Sequence, residues 1–140
     1  MTLANATLRT LTTAAALMLP SVTHPQRQME DLGRGVVAIN QGGGQVFVSW
    51  RLLGTEPDDI AFNLYRSVAD GAPVKLNEAP LARATCFADT GAKLEQATSY
   101  FVRSVSHGQE QAPSVPFTFA ANAPPRPYLA IPLQLPAGYA

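Results

Sequence analysis

The sequence predicts an all-β domain, an antiparallel sandwich of about seven short strands. Three observations carry that expectation. From Gly35 to about Ala120, apolar and polar residues alternate in short runs with the period of a half-buried strand. Turn signals rich in Gly, Pro, Asn and Asp interrupt these runs about every 8–12 residues. No stretch of this region combines a 3.6-residue apolar period with helix caps.

The chain opens differently. Residues 1–26 hold no acid and one base, Arg9, followed by the apolar stretch Thr10–Pro20 and the polar run SVTHPQ. A base, a short apolar core and small residues are the parts of a secretory signal peptide, with Ser21 and Thr23 flanking a cut before His24. Eleven residues are too few to cross a bilayer of about 30 Å as a helix. A secreted or periplasmic location with no membrane anchor is therefore expected.

The strands follow in order. VVAIN (Val36–Asn40) is β-rich and stops at QGGGQ, where glycines permit the positive φ of a tight hairpin. QVFVSWRLL comes next, with Val46, Val48, Trp50 and Leu52 on one face. Gly54–Asp59 breaks it, and IAFNLYRS resumes with Ile60, Phe62 and Leu64 on a common face. VKLN and PLA, flanked by Pro73 and Pro80, read as edge or irregular strands, because proline cannot donate to a ladder. TCFAD (Thr85–Asp89) is short, SYFVRSVSHG is long with Tyr100 and Val102 on one face, and VPFTFA (Val115–Ala120) closes the set.

Two aromatics narrow the sandwich to an immunoglobulin or fibronectin type III-like form. Trp50, near the end of an early strand, can fill the space between sheets. Tyr100 closes the pattern Leu94, Thr98, Tyr100 as a late strand begins, where its hydroxyl is expected to turn back onto the preceding loop's backbone, a tyrosine corner.

Seven of the twelve prolines lie between Pro113 and Pro136. ANAPPRP reads as a stiff polyproline linker, and YLAIPLQL after it as one more strand. A lone strand is unstable in water, so this segment is expected to belong to a further domain. The expected organisation is thus 1–26 signal peptide, 27–121 sandwich, and 122–140 linker and first strand of a C-terminal domain.

Composition limits the function. Ten basic residues balance ten acidic ones with no basic run, which argues against nucleic acid or an anionic membrane as partner. The single cysteine excludes an intrachain disulfide and a cysteine-built zinc site.

Few residues offer chemistry. Glu56, Asp58 and Asp59 form the one acidic cluster, but lack the alternation of a calcium loop and the spacing of a glycosidase pair, so they read as a solvated turn. His24 and His107 fit no metal-ligand spacing, and His107 beside Gly108 reads as a loop residue. Cys86, beside Phe87 on a short strand, reads as a small buried residue. Gly42–Gly44 lacks the spacing and helix of a phosphate loop and reads as a turn. Arg51, Arg66, Arg83 and Arg103 sit on separate strands, an arrangement more typical of ion pairs than of a polyanion surface. No nucleophile, base and oxyanion site assembles, so no catalytic, cofactor-binding or metal residue is assigned.

The run RQMEDLGRGVVAIN and QVFVSWRLLGTEPDDIAFNLYR (within Arg27–Arg66), with SYFVRSV and QEQAPS, resembles the N-terminal region of rhamnogalacturonan lyases of polysaccharide lyase family 11. The likeness covers most of residues 27–135, and SWRLLGTEPDDIAFNLYR is its most specific part. The resemblance implies a sandwich preceding a calcium-binding catalytic β-propeller that cleaves pectic rhamnogalacturonan I by β-elimination. It implies a chain truncated before that propeller, with calcium expected there and none here. The propeller and pectic polysaccharide are the partners it implies. The other reading of the residues is a free-standing carbohydrate- or protein-binding module.

Overall fold

The hairpin glycines and the alternating strands give two sheets packed face to face. The computed structural model describes residues 32–69, 71–134 and 138. The expected signal peptide, with His24, lies outside the described residues, as does Leu135. Among the described residues there is no helix, and so none long and apolar enough to cross a membrane.

Nine strands form among the described residues: β1 (Val37–Gly42), β2 (Gln45–Ser49), β3 (Ala61–Val68), β4 (Val74–Lys75), β5 (Leu81–Ala82), β6 (Cys86–Asp89), β7 (Thr98–Ser106), β8 (Gln109–Pro113) and β9 (Phe117–Phe119). Two of them, β4 and β5, are only two residues long. β1, β2 and β6 make one sheet in that order, and the other six make the second, built on the long central pair β3 and β7. Every pairing is antiparallel. The architecture is the expected all-β sandwich.

The edges of the larger sheet change strand part-way. β5 pairs with β3 at Ala61 and Phe62, and β4 pairs with it at Tyr65 and Arg66. Asn77 bridges the gap between them. Its Oδ1 accepts from Leu64 N at 2.8 Å, and its Nδ2 donates to Ala79 O at 2.8 Å and Asn63 Oδ1 at 2.8 Å. A side-chain amide thus supplies the bonds that the chain cannot make as it turns into Pro80.

The core joins the inward faces of both sheets. Val46, Val48 and Trp50 from the first meet Phe62, Leu64, Tyr100 and Val102 from the second, all buried. Trp50 stands edge-on to Phe62 with ring centroids 5.6 Å apart. Leu52 departs from the expected face and is 60% exposed, because β2 ends at Ser49 and its two-residue alternation ends with it. Gly42, Gly43 and Gly44 all have positive φ, which the hairpin requires and a side chain would resist.

Two further readings change. β8 is a strand that the polar sequence QEQAP conceals, with every residue exposed. It is reached through a two-residue turn in which His107 (φ 50°) and Gly108 (φ 74°) both take the left-handed conformation of a type I′ hairpin. The segment expected as linker is hydrogen-bonded to the sandwich: Arg126 N donates to Asn40 O at 2.9 Å, and Asn40 Nδ2 donates to Ala123 O at 2.8 Å. Tyr128–Gln134 forms no strand, and Ile131 and Leu133 are 73% and 91% exposed.

Candidate functional site

Three carboxylates organise the polar side chains. The first is Glu56, in the loop before β3. It forms an ion pair with Arg34 and accepts from Leu53 N at 2.9 Å. Arg34 also lies over the Phe62 ring, 4.9 Å from its centroid. Glu56 is therefore a half-buried loop clamp rather than part of a solvated turn, while Asp58 and Asp59 are exposed as expected. Arg34, upstream of the strands and outside the set singled out from sequence, is the partner that makes the difference.

The Arg34 hydrogen bond holds the Glu56 carboxyl below its usual range, opposed by desolvation and helped by Leu53 N–H. A depressed carboxyl adds stability that is present above the unfolded value, about 4.3, and is lost as pH falls through the folded one. The stability difference between wild type and Arg34→Gln should therefore shrink as pH drops from about 6 to below about 4 in denaturant titrations. A pH-independent difference would mean that Arg34 acts only through packing.

The second carboxylate, Asp89 at the end of β6, points between the sheets. Its Oδ2 accepts from the Tyr100 hydroxyl at 2.8 Å and from Arg66 at 2.7 Å, and its Oδ1 accepts from Gly91 N at 3.0 Å. The tyrosine corner is thereby altered. Tyr100 bonds a side chain across the sandwich, and Thr98 makes the loop contacts instead, donating to Gln96 O at 3.0 Å or Lys93 O at 3.3 Å. Burial, then the bond to Asp89, pushes the Tyr100 phenol well above its usual range. A cleft of about 480 Å³ opens beside Arg66 and Lys93, but Arg66 is committed to Asp89 and to Gly91 O.

The third, Glu110 on β8, lies on the outward face of the larger sheet. It accepts from the Tyr65 hydroxyl at 2.6 Å and from Asn63 Nδ2, with Arg103 3.8 Å away. The bonds from Tyr65 and then Asn63 hold its carboxyl below the usual range. Tyr65 and Phe101 stack there, centroids 5.3 Å apart and planes 7° from parallel, and Arg103 lies 5.7 Å from the Tyr65 centroid.

The remaining candidates stand apart. Cys86 is exposed, against the expectation of burial. In β6 it is Asp89 that turns inward, and the two-residue alternation leaves Cys86 and Ala88 facing out. His107 occupies the exposed β7–β8 turn, with Nδ1 3.1 Å from Ser106 Oγ. Arg66 and Arg103 form ion pairs, whereas Arg51 and Arg83 are exposed and form none among the described residues. Among those residues no group of three or more His, Cys, Asp or Glu is placed to hold a metal ion. Glu56, Asp89 and Glu110 direct their oxygens to protein donors, so this donor set does not fit a calcium ion.

Residues 27–119 match the family described as the rhamnogalacturonan I lyases beta-sheet domain. The chain is 44% identical over 112 residues to the rhamnogalacturonan endolyase YesW of Bacillus subtilis (strain 168), covering 80% of this chain and 16% of that protein. It is 41% identical over 86 residues to the rhamnogalacturonan exolyase YesX of the same organism, covering 61% of this chain and 13% of that one. Among solved structures, the fibronectin type III domain of human KIAA0970 overlays with a TM-score of 0.54 at 15% identity, over 71% of this chain and 82% of that domain. The third fibronectin III domain of human KIAA0343 gives 0.50 at 15% identity, over 79% and 100%. Those two share the fold.

Proposed function

The chain belongs to the rhamnogalacturonan I lyase β-sheet domain family, and we propose that it is the non-catalytic N-terminal accessory sandwich of a pectin-degrading lyase of polysaccharide lyase family 11. The observation that carries this is one of proportion. The chain spans about a sixth of the endolyase it matches, and the matched region is its β-sheet domain. The chemistry of the side chains agrees. Elimination beside a uronate carboxylate needs a free base at the neighbouring carbon and a cation on the carboxylate. Here Glu56, Asp89 and Glu110 are bound up in contacts that hold loops, sheets and the β8 edge. The partner is the catalytic domain of the same lyase, a propeller with its own calcium. Arg9 and the apolar Thr10–Pro20 support a location outside the cytoplasm, secreted or periplasmic.

The test is direct. The 140-residue protein incubated with rhamnogalacturonan I and calcium should release no unsaturated product, followed by ultraviolet absorbance. Turnover above that of a heat-denatured control would overturn the accessory reading.

A further inference from the structure

The outward face of the larger sheet presents ordered rows. Register places Ser67, Ser99 and Thr118 in line across β3, β7 and β9. The next row is Lys75, Tyr65 and Phe101, and the one after it joins Asn63 to Arg103. A line of hydroxyls, a strip of two parallel rings and a pair of cations thus lie on neighbouring rows. Ser99 Oγ and Thr118 Oγ1 are 2.8 Å apart, which fixes the hydroxyl row. Glu110, itself held by Asn63, accepts from the Tyr65 hydroxyl, and Tyr65 stacks on Phe101, so the ring pair is braced rather than free to rotate.

We propose that this face, centred on Tyr65, Phe101 and Arg103, is a binding surface for a uronate-bearing acidic polysaccharide. Each row matches one part of such a ligand. The edges of the stacked, partly exposed ring pair offer apolar contact to the C–H groups of pyranose sugars, hydroxyls exchange hydrogen bonds with sugar hydroxyls, and an arginine fork matches a carboxylate. Charge selects the acidic class. Among the described residues Arg103 pairs with one carboxylate, Glu110, whose Oε1 already accepts from Tyr65 and Asn63, and Lys75 adds a second cation to the neighbouring row. The Arg103–Glu110 contact is 3.8 Å with both side chains about one-third exposed, so Arg103 keeps donors for an incoming carboxylate. The choice of glycan rests on the accessory-module reading, whereas the site rests on geometry alone. A surface of this kind would keep an attached catalytic domain close to the polymer without entering its chemistry.

Affinity electrophoresis of the full chain through gels containing polygalacturonate, with neutral dextran gels in parallel, tests this. Retardation is expected in polygalacturonate alone. Arg103→Gln should weaken it about tenfold if the guanidinium is the main carboxylate contact, Phe101→Ala should weaken it too, and added salt should reduce it. Arg83→Gln, an exposed cation outside these rows, should leave it unchanged. Absence of retardation, equal retardation in dextran, or wild-type retardation of Arg103→Gln would overturn the proposal. Arg103 is partly exposed, so its replacement does not threaten the core, and circular dichroism of each variant separates lost binding from lost fold. Lyase turnover by this chain would instead remove the accessory reading and leave the binding result standing.

Discussion

Replacing Asp89 by Ala is expected to destabilise the sandwich by about 3–5 kcal/mol, the usual cost of removing one partner from a buried ion pair. The Asp89 side chain is 6% exposed and that of Arg66 is 20% exposed, so water cannot readily replace the lost carboxylate. The change leaves the Arg66 guanidinium and the Tyr100 hydroxyl without their shared acceptor. Tyr100→Phe, which removes only one donor to a charged group, should cost less, about 1.5–3 kcal/mol. The two losses should not add, since one hydrogen bond is common to both. Urea unfolding of the single and double variants measures this, and strict additivity would refute a shared contact. The alkaline limb gives a second readout. The Tyr100 phenol is pushed up by burial and by Asp89. Its contribution is complete below the unfolded value of about 10 and is lost as pH rises toward the folded one. That part of the alkaline loss should vanish in Tyr100→Phe.

Trp50→Ala should cost a similar amount, about 3–5 kcal/mol, for a different reason. Trp50 is 5% exposed and seals the middle of the sandwich against Phe62, so truncation leaves a cavity that the two sheets cannot close. Its indole Nε1 is buried with no hydrogen-bond partner among the described residues. Trp50→Phe therefore loses packing but no hydrogen bond, and should be milder than Ala by more than about 1 kcal/mol. Thermal and chemical denaturation of both variants decide this. Equal losses for Phe and Ala would mean that the indole nitrogen, and not the ring volume, holds the site together.

These variants probe contacts of different legibility. Trp50 could be placed from its neighbours, because Val46, Val48 and Trp50 share one face, opposite Phe47, Ser49 and Arg51, and the face with the larger apolar set is the buried one. The same rule located Phe62 with Leu64, and Tyr100 with Val102. Asp89 could not be assigned this way. A carboxylate ending a short strand reads as a turn residue until the opposite sheet supplies Arg66 and Tyr100. Cys86 failed for a related cause, since hydrophobicity names a candidate for burial but strand phase decides which face it takes. The strand Gln109–Pro113 left no alternation to read, because every residue of it is exposed. The aromatic and cationic rows were hidden too. Tyr65, Phe101 and Arg103 lie on two strands far apart in sequence, and only the β3–β7 register sets them side by side.

By itself the sequence determined the all-β class, the inward faces of the main strands, the glycine hairpin and the family likeness. Those properties depend on local periodicity, on backbone freedom at a few positions and on contiguous runs of residues. The tertiary structure alone decided which partners the charged and aromatic side chains would find. Glu56 found Arg34, Asp89 found Arg66 and Tyr100, and Glu110 found Tyr65. The physical reason is reach. An apolar stripe is encoded within a few consecutive residues, whereas a hydrogen bond or ion pair joins atoms a few ångströms apart that the chain brings together only once both sheets have formed.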